Sequence, residues 1–233
     1  CHIGSQIFEP APFIDAANVM IGFISDMKDK FGYETEILNL GGGFAVKYIE
    51  DHDEVDIPEY IKEIADKVTE LCEKYSVKMP KIFMEPGRSI VADAGMTIYT
   101  VGTVKTIPGY KNYVSIDGGM GDNPRYILYE AEYDGILANR AKDEPEEIVT
   151  VCGKCCESGD IIIKNAHLPK ANTGDILAVM STGAYNYSMA SNYNKIPRPP
   201  LVMIKDGVSR VVVRRETYED LLTYDVTDPV FTR

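Results

Sequence analysis

Near residue 90 the chain changes its hydrophobic period, and this change limits the possible folds more than any other feature. Before it, two long segments carry apolar residues at helical spacing. Over residues 13–27, Phe13, Ala17, Met20, Ile21, Ile24 and Met27 form the apolar set, with Asp15, Asn18, Ser25 and Asp26 elsewhere on the wheel. Residues 58–75 repeat the pattern with Ile61, Ile64, Ala65, Val68, Leu71 and Cys72, and Pro58 suits a first helical turn. Residues 35–40 (TEILNL) and 81–84 (KIFM) read as strands. The first runs into Gly41-Gly42-Gly43 and the second into Glu85-Pro86-Gly87-Arg88. Strands alternating with helices of this length predict parallel βαβ units.

After residue 90 the helical period gives way to short strands. Segments 96–106, 113–116, 148–152, 161–163, 175–180, 201–204 and 209–213 read as strands parted by turn signals, with Asp206-Gly207 a hairpin turn. Residues 216–224 predict a short closing helix. The expected fold is therefore α/β plus all-β. Residues 1–90 hold too few strands for a closed (β/α)8 barrel, which takes about 250 residues. They read as the C-terminal portion of such a TIM barrel, and residues 91–233 as a β-sandwich or β-barrel-like domain. The opening residues Cys1-His2-Ile3-Gly4-Ser5-Gln6 read like the end of a strand entering a loop, as if the chain starts within a larger unit.

Composition excludes several classes. With 24 Lys+Arg against 36 Asp+Glu the net charge is −12, the wrong sign for a nucleic-acid surface. No apolar run approaches the roughly 18 residues of a membrane span. The five cysteines, Cys1, Cys72, Cys152, Cys155 and Cys156, are an odd set that does not resemble a secreted disulfide framework, which points to a reducing cytoplasm. The CxxC of Cys152 and Cys155 is half of a zinc ribbon, but His2, His52 and His167 are scattered and no second half exists, so no metal site is expected.

Several motifs could carry chemistry. Glycines let a backbone approach an anion, so Gly41, Gly42 and Gly43 are candidates for phosphate contact, against the plainer reading of a flexible loop. In barrels, phosphate is often held by the loops after strands seven and eight. If residues 81–84 are strand eight, the glycine loop and Glu85-Pro86-Gly87-Arg88 are those two loops. Glu85 could hold a protonated ring nitrogen and Arg88 a carboxylate or phosphate, or the two could be a surface ion pair. Arg125, closing a glycine-rich turn, and Tyr129 four residues on could clamp a carboxylate. Glu157 beside Cys156 disfavours the thiolate, so Cys156 suits a proton donor better than a nucleophile. Residues 183–194 (GAYNYSMASNYN) have the aromatic and amide texture of a site-lining loop. The run 142–147 (KDEPEE) reads as a solvated loop.

Together HIGSQ at 2–6, NLGGGF at 39–44, EPGRSIVA at 85–92, DGGM and DNPR within 117–125, LYEA at 128–131, CESGD at 156–160 and GAYNYSMASNYN at 183–194 resemble the diaminopimelate decarboxylases. These are pyridoxal 5'-phosphate enzymes of lysine biosynthesis, sharing a plan with ornithine and arginine decarboxylases. CESGD with GAYxxSMxSNYN is more similar to the diaminopimelate branch. The resemblance implies that His2 stacks on the pyridine ring. It implies that Ser5 and Gly41 to Gly43 hold the phosphate, with Gly87 and Arg88 nearby. Glu85 would keep the ring nitrogen protonated, so that the ring can act as electron sink. Arg88, Arg125 and Tyr129 would bind the distal substrate carboxylate and Glu157 its amino group. Tyr185 would contact the cofactor. Cys156 would donate a proton across a homodimer interface, so dimerisation would complete the site.

Two departures stand out. The family's NPRP reads Asn123-Pro124-Arg125-Tyr126 here, which keeps the arginine. The family's Schiff-base lysine, in a YAxKAN-type segment, has no counterpart in these 233 residues. The sequence therefore reads as part of a longer enzyme and should not turn over alone. The alternatives are a decarboxylase of ornithine, arginine or another basic amino acid, and a non-catalytic relative acting as a binding partner.

Overall fold

The computed structural model describes residues 1–226 and divides the chain into two units, Cys1–Gly95 and Met96–Arg233. The first unit opens with α1 (Ala11–Phe31) and β1 (Ile37–Asn39), continues with α2 (Ile57–Lys74) and β2 (Lys81–Phe83), and ends in the short α3 (Gly87–Val91). Helix α1 stops at Gly32, whose left-handed backbone (φ 66) lets its N–H reach the Lys28 carbonyl, and Lys28 and Lys30 lie in the last turn where cations favour the dipole. Helix α2 starts at Asp56, whose carboxylate accepts the Glu59 N–H at 3.0 Å. The two helices pack together through Ala17, Ile21, Ile24, Ile64, Val68 and Leu71, all buried in one core with Leu38, Leu40 and Phe44. Phe13 stacks on Phe44 at 4.6 Å.

Strands β1 and β2 are parallel, with Leu38 opposite Ile82, and Ile7 forms a parallel bridge to Phe44. The sequence places both helices and both strands within a few residues of their ends. The glycine loop follows β1 and the next helix begins at Ile57, in the order the sequence predicts. Thirteen residues, 44–56, separate Gly43 from α2, and the helix start that lies against the glycines is that of the short α3, at Pro86 and Gly87.

The second unit contains β3 (Thr97–Ile107), β4 (Lys111–Ile116), α4 (Arg125–Tyr129), β5 (Gly135–Leu137), β6 (Glu147–Cys152), β7 (Ile161–Leu168), β8 (Ile176–Val179), β9 (Leu201–Lys205) and β10 (Val208–Val213). Six strands form one sheet in the order β5-β8-β3-β4-β6-β7, antiparallel except for the β4/β6 pair. The sheet curls until its edge strands meet. A Cβ at Gly135 of β5 would lie 2.9 Å from Ile163 Cδ1 of β7, which shows how closely the two edge strands approach. Val101, Val114, Leu137, Val149, Val151, Ile162, Leu168 and Leu177 fill the interior. Strands β9 and β10 form a separate hairpin whose turn residues Asp206 and Gly207 both have positive φ (51 and 75). The helix expected at 216–224 is only a 3-10 turn, Asp220–Leu222, in which the Asp220 carboxylate accepts from Arg214 and from the Thr217 N–H. Among the described residues, no helix is long and apolar enough to cross a membrane.

Candidate active-site residues

In the first unit three backbone segments converge. The Glu85 N–H donates to the Gly41 carbonyl at 2.7 Å, and the Leu40 N–H donates to the Phe83 carbonyl at 3.0 Å, continuing the ladder past the strand ends. The Gly42 N–H meets His2 Nδ1 at 3.3 Å. Each glycine has a packing reason. An added Cβ would sit 2.4 Å from the Cys1 carbonyl oxygen at Gly41, 1.9 Å from that of Glu85 at Gly42, and 2.3 Å from that of Gly4 at Gly43. Gly41 and Gly43 also take positive φ, 73 and 106. The triple glycine thus lets segments 1–5, 41–43 and 85–87 lie against one another.

This convergence groups His2, Ser5, Glu85, Gly87 and Arg88 beside the glycines. Arg88, in the first turn of α3, is 8% exposed. Its Nη2 donates to Ser5 Oγ at 2.8 Å and its Nη1 to the Tyr48 hydroxyl at 2.5 Å, with the guanidinium 5.6 Å from the Tyr48 ring centre. Asn39 joins the glycine loop to the acid: its Nδ2 donates to Glu85 Oε1 at 2.5 Å and its Oδ1 accepts the Gly41 N–H at 2.8 Å. Sequence reasoning missed Tyr48 and Asn39. Asn39 lies inside the NLGGGF motif, where an amide next to a glycine turn is a recognisable signal. Tyr48 carries no such signal.

In the second unit Arg125 opens α4 and is 5% exposed. Its guanidinium lies 5.9 Å from the Tyr129 ring centre and 5.8 Å from that of Tyr185. Tyr129 reaches it because residues i and i+4 share a helix face. Tyr185 reaches it with a left-handed backbone (φ 66) beside buried Asn186, whose Oδ1 accepts the Tyr133 hydroxyl at 3.3 Å. A cation between two phenol rings is a suitable seat for a carboxylate.

Cys156 and Glu157 are exposed on the turn between β6 and β7. That turn rests on α4, where Ile127 lies against Gly159. Asp160, which sequence reasoning left without a role although it ends CESGD, anchors the turn. It is 4% exposed, and its carboxylate accepts the Met120 N–H at 2.6 Å and the Cys155 N–H at 2.7 Å. It thereby ties the loop leading to Arg125 to the loop bearing Cys156. Burial, with Asp160 alongside, pushes the Cys155 thiol up, and burial does the same to Cys152. All five cysteines are free thiols. Among the described residues, no three His, Cys, Asp or Glu side chains are grouped to hold a metal ion.

Comparison with known proteins places these residues in a family context. Residues 1–92 match the family described as pyridoxal-dependent decarboxylase, pyridoxal binding domain. The chain is 47% identical over 226 residues to the diaminopimelate decarboxylase of Bacillus subtilis strain 168, covering 97% of this chain and 52% of that protein. It is 49% identical over 225 residues to that of Halalkalibacterium halodurans, covering 97% and 51%. In structure it is similar to diaminopimelate decarboxylase from M. jannaschii in complex with L-lysine, with a TM-score of 0.86, 36% identity, and coverage of 98% of this chain and 51% of that one. By sequence and by fold, the chain is a homologue of the diaminopimelate decarboxylases and spans about half the length of the curated relatives it matches.

Proposed function

We propose that this sequence is about half of a pyridoxal-phosphate-dependent decarboxylase acting on meso-2,6-diaminopimelate to give lysine, and that Cys1–Gly95 is the later part of its cofactor-binding barrel. The carrying observation is the grouping of Ser5, the three glycines, Glu85 and Arg88 just past the carboxyl ends of two parallel strands. Ligands bind at that end of such strands. The exposed apolar surface of the unit supports the reading that more chain covers it. Ile37 and Phe83, on the two-stranded sheet, are each 50% exposed, and Val19 and Phe23 on α1 are 70% and 56% exposed. A two-stranded sheet alone is marginal in water.

The residues present fit the cofactor. A buried guanidinium fixed by the two hydroxyls of Ser5 and Tyr48 suits a phosphate, and Gly87 brings its backbone close at the start of α3. His2, against the glycine loop, would lie on the ring face. Glu85, oriented by Asn39, would hold the proton on the ring nitrogen. When bound, pyridoxal phosphate accepts the electron pair released as carbon dioxide leaves.

Arg125, framed by Tyr129 and Tyr185, would bind the distal carboxylate, with Arg88 as a second cation for the substrate. Tyr185 would also touch the cofactor. Glu157 would pair with the distal ammonium. Cys156 would pass its Sγ proton to the carbon that has lost carbon dioxide, and the resulting thiolate would regain a proton from water. In this reading Cys156 and Glu157 serve a site shared between two subunits of a homodimer, and the free cysteines suit a reducing cytoplasm.

The test is carbon dioxide release from meso-diaminopimelate, ornithine and arginine by the complete enzyme carrying this sequence, with pyridoxal phosphate supplied. Release from diaminopimelate is expected. Release from ornithine alone would overturn the substrate, and release from none would overturn the activity.

A further inference from the structure

The turn carrying Cys156 has a second anchor besides Asp160. Asn194 Oδ1 accepts the Cys156 N–H at 2.8 Å across 38 residues of sequence. Asn194 holds a left-handed backbone (φ 53, ψ 25), which asparagine tolerates better than most side chains. Its surroundings fix that turn. The Asn192 Nδ2 donates to the Ile196 carbonyl at 3.1 Å and to Glu216 Oε2 at 2.6 Å. Arg198 grips the same carboxylate, with its N–H on Oε2 at 2.8 Å and its Nε on Oε1 at 2.8 Å. Asn194 therefore stands on a stapled platform and directs its side-chain oxygen at the backbone of one residue, Cys156.

We infer that Asn194 is a positioning residue for Cys156, fixing the peptide from which the thiol projects and so setting the aim of its proton. This rests on the reading of Cys156 as proton donor. Cys156 is exposed in this chain, and the bond to Asn194 fixes the backbone and hence the Cα–Cβ direction from which the thiol projects.

The test uses the complete enzyme with Asn194→Gly, which removes the acceptor but keeps the left-handed backbone at low cost, and Asn194→Asp, which keeps an acceptor oxygen. Asn194→Gly is expected to lower kcat about three- to ten-fold with KM for the amino acid unchanged, the effect of one modest hydrogen bond. Asn194→Asp should restore kcat. In a Cys156→Ala background Asn194→Gly should cost nothing more. Unchanged kcat, a rise in KM alone, or an equal loss in the Cys156→Ala background would each overturn the proposal.

Hydrogen exchange of the Cys156 amide gives a readout independent of turnover. Asn194→Gly should speed its exchange while leaving the Met120 amide, held by Asp160, as it was. An unchanged Cys156 amide overturns the proposal whatever the assay reads. Should the unsubstituted enzyme release no carbon dioxide, the decarboxylase reading fails separately.

Discussion

Arg88 reaches across 83 residues of sequence to donate from Nη2 to Ser5 Oγ at 2.8 Å. The same guanidinium donates from Nη1 to the Tyr48 hydroxyl, so one buried cation orders two loops. A lysine carries a point charge and cannot span both hydroxyls in a planar fork. Arg88→Lys in the complete enzyme should therefore weaken pyridoxal phosphate binding by about ten-fold or more, as expected for losing a charged hydrogen bond. An absorbance titration with the cofactor measures this. Equal affinity in both proteins would remove Arg88 from the phosphate site.

The glycines make a sharper prediction about folding. At Gly42 an added Cβ would lie 1.9 Å from the Glu85 carbonyl oxygen, which is backbone and cannot swing away. Gly42→Ala should cost at least about 1–3 kcal/mol, as overpacking does, or prevent the unit from folding. Gly22, inside α1, has nothing within 4 Å of its added Cβ. Gly22→Ala should stabilise by about 0.5–1 kcal/mol, because alanine loses less backbone freedom in a helix. Urea midpoints for the two variants should move in opposite directions.

These glycines also show what the sequence could and could not reveal. Period-3.6 stripes such as Ile64, Val68 and Leu71 located both long helices, since a helix of that length must bury one face. Asp206-Gly207 located the β9–β10 hairpin through its turn chemistry. The short elements α3, α4 and β5 escaped, since five, five and three residues show no period; β1 and β2, as short as β5, were legible only from the turn residues that follow them. The triple glycine was legible as a close approach, but not that its neighbours are Cys1, Gly4 and Glu85. Tyr48 was invisible, and Asn194 was legible only as one residue of the site-lining segment 183–194, for the same reason. Their role is fixed by partners 40 and 38 residues away, and no local pattern encodes such a distance.

Asp160 carries the geometry of the second unit. Its carboxylate accepts two backbone amides, from Met120 and Cys155, in a buried setting. Asp160→Asn keeps the shape but turns one acceptor into a donor facing an N–H. Each lost charged hydrogen bond is worth about 1.5–3 kcal/mol, so at least one such increment should disappear. Hydrogen exchange should quicken at one or both of Met120 and Cys155, with little change at buried Val114 of β4 until global unfolding. Exchange quickening equally everywhere would mean that Asp160 supports the whole fold rather than this junction.

Acid should loosen the platform under Asn194. The Arg198 guanidinium, with the Arg198 and Asn192 N–H donors, pulls the Glu216 carboxyl from 4.5 down to about 2. A carboxyl depressed in the folded chain lends stability that is fully present above its unfolded value. That stability fades as pH falls from about 4.5 towards 2. Asp220, Glu219 and Asp175 are depressed in the same direction, Asp220 chiefly by Arg214, so the raw acid profile mixes several groups. The difference between the unsubstituted chain and Glu216→Gln isolates one of them. Their urea midpoints should be furthest apart above pH 5 and converge by about pH 2. A gap that stays constant from pH 5 to pH 2 would show that the charge on Glu216 does not hold the turn, and that packing alone keeps Asn192 and Arg198 in place.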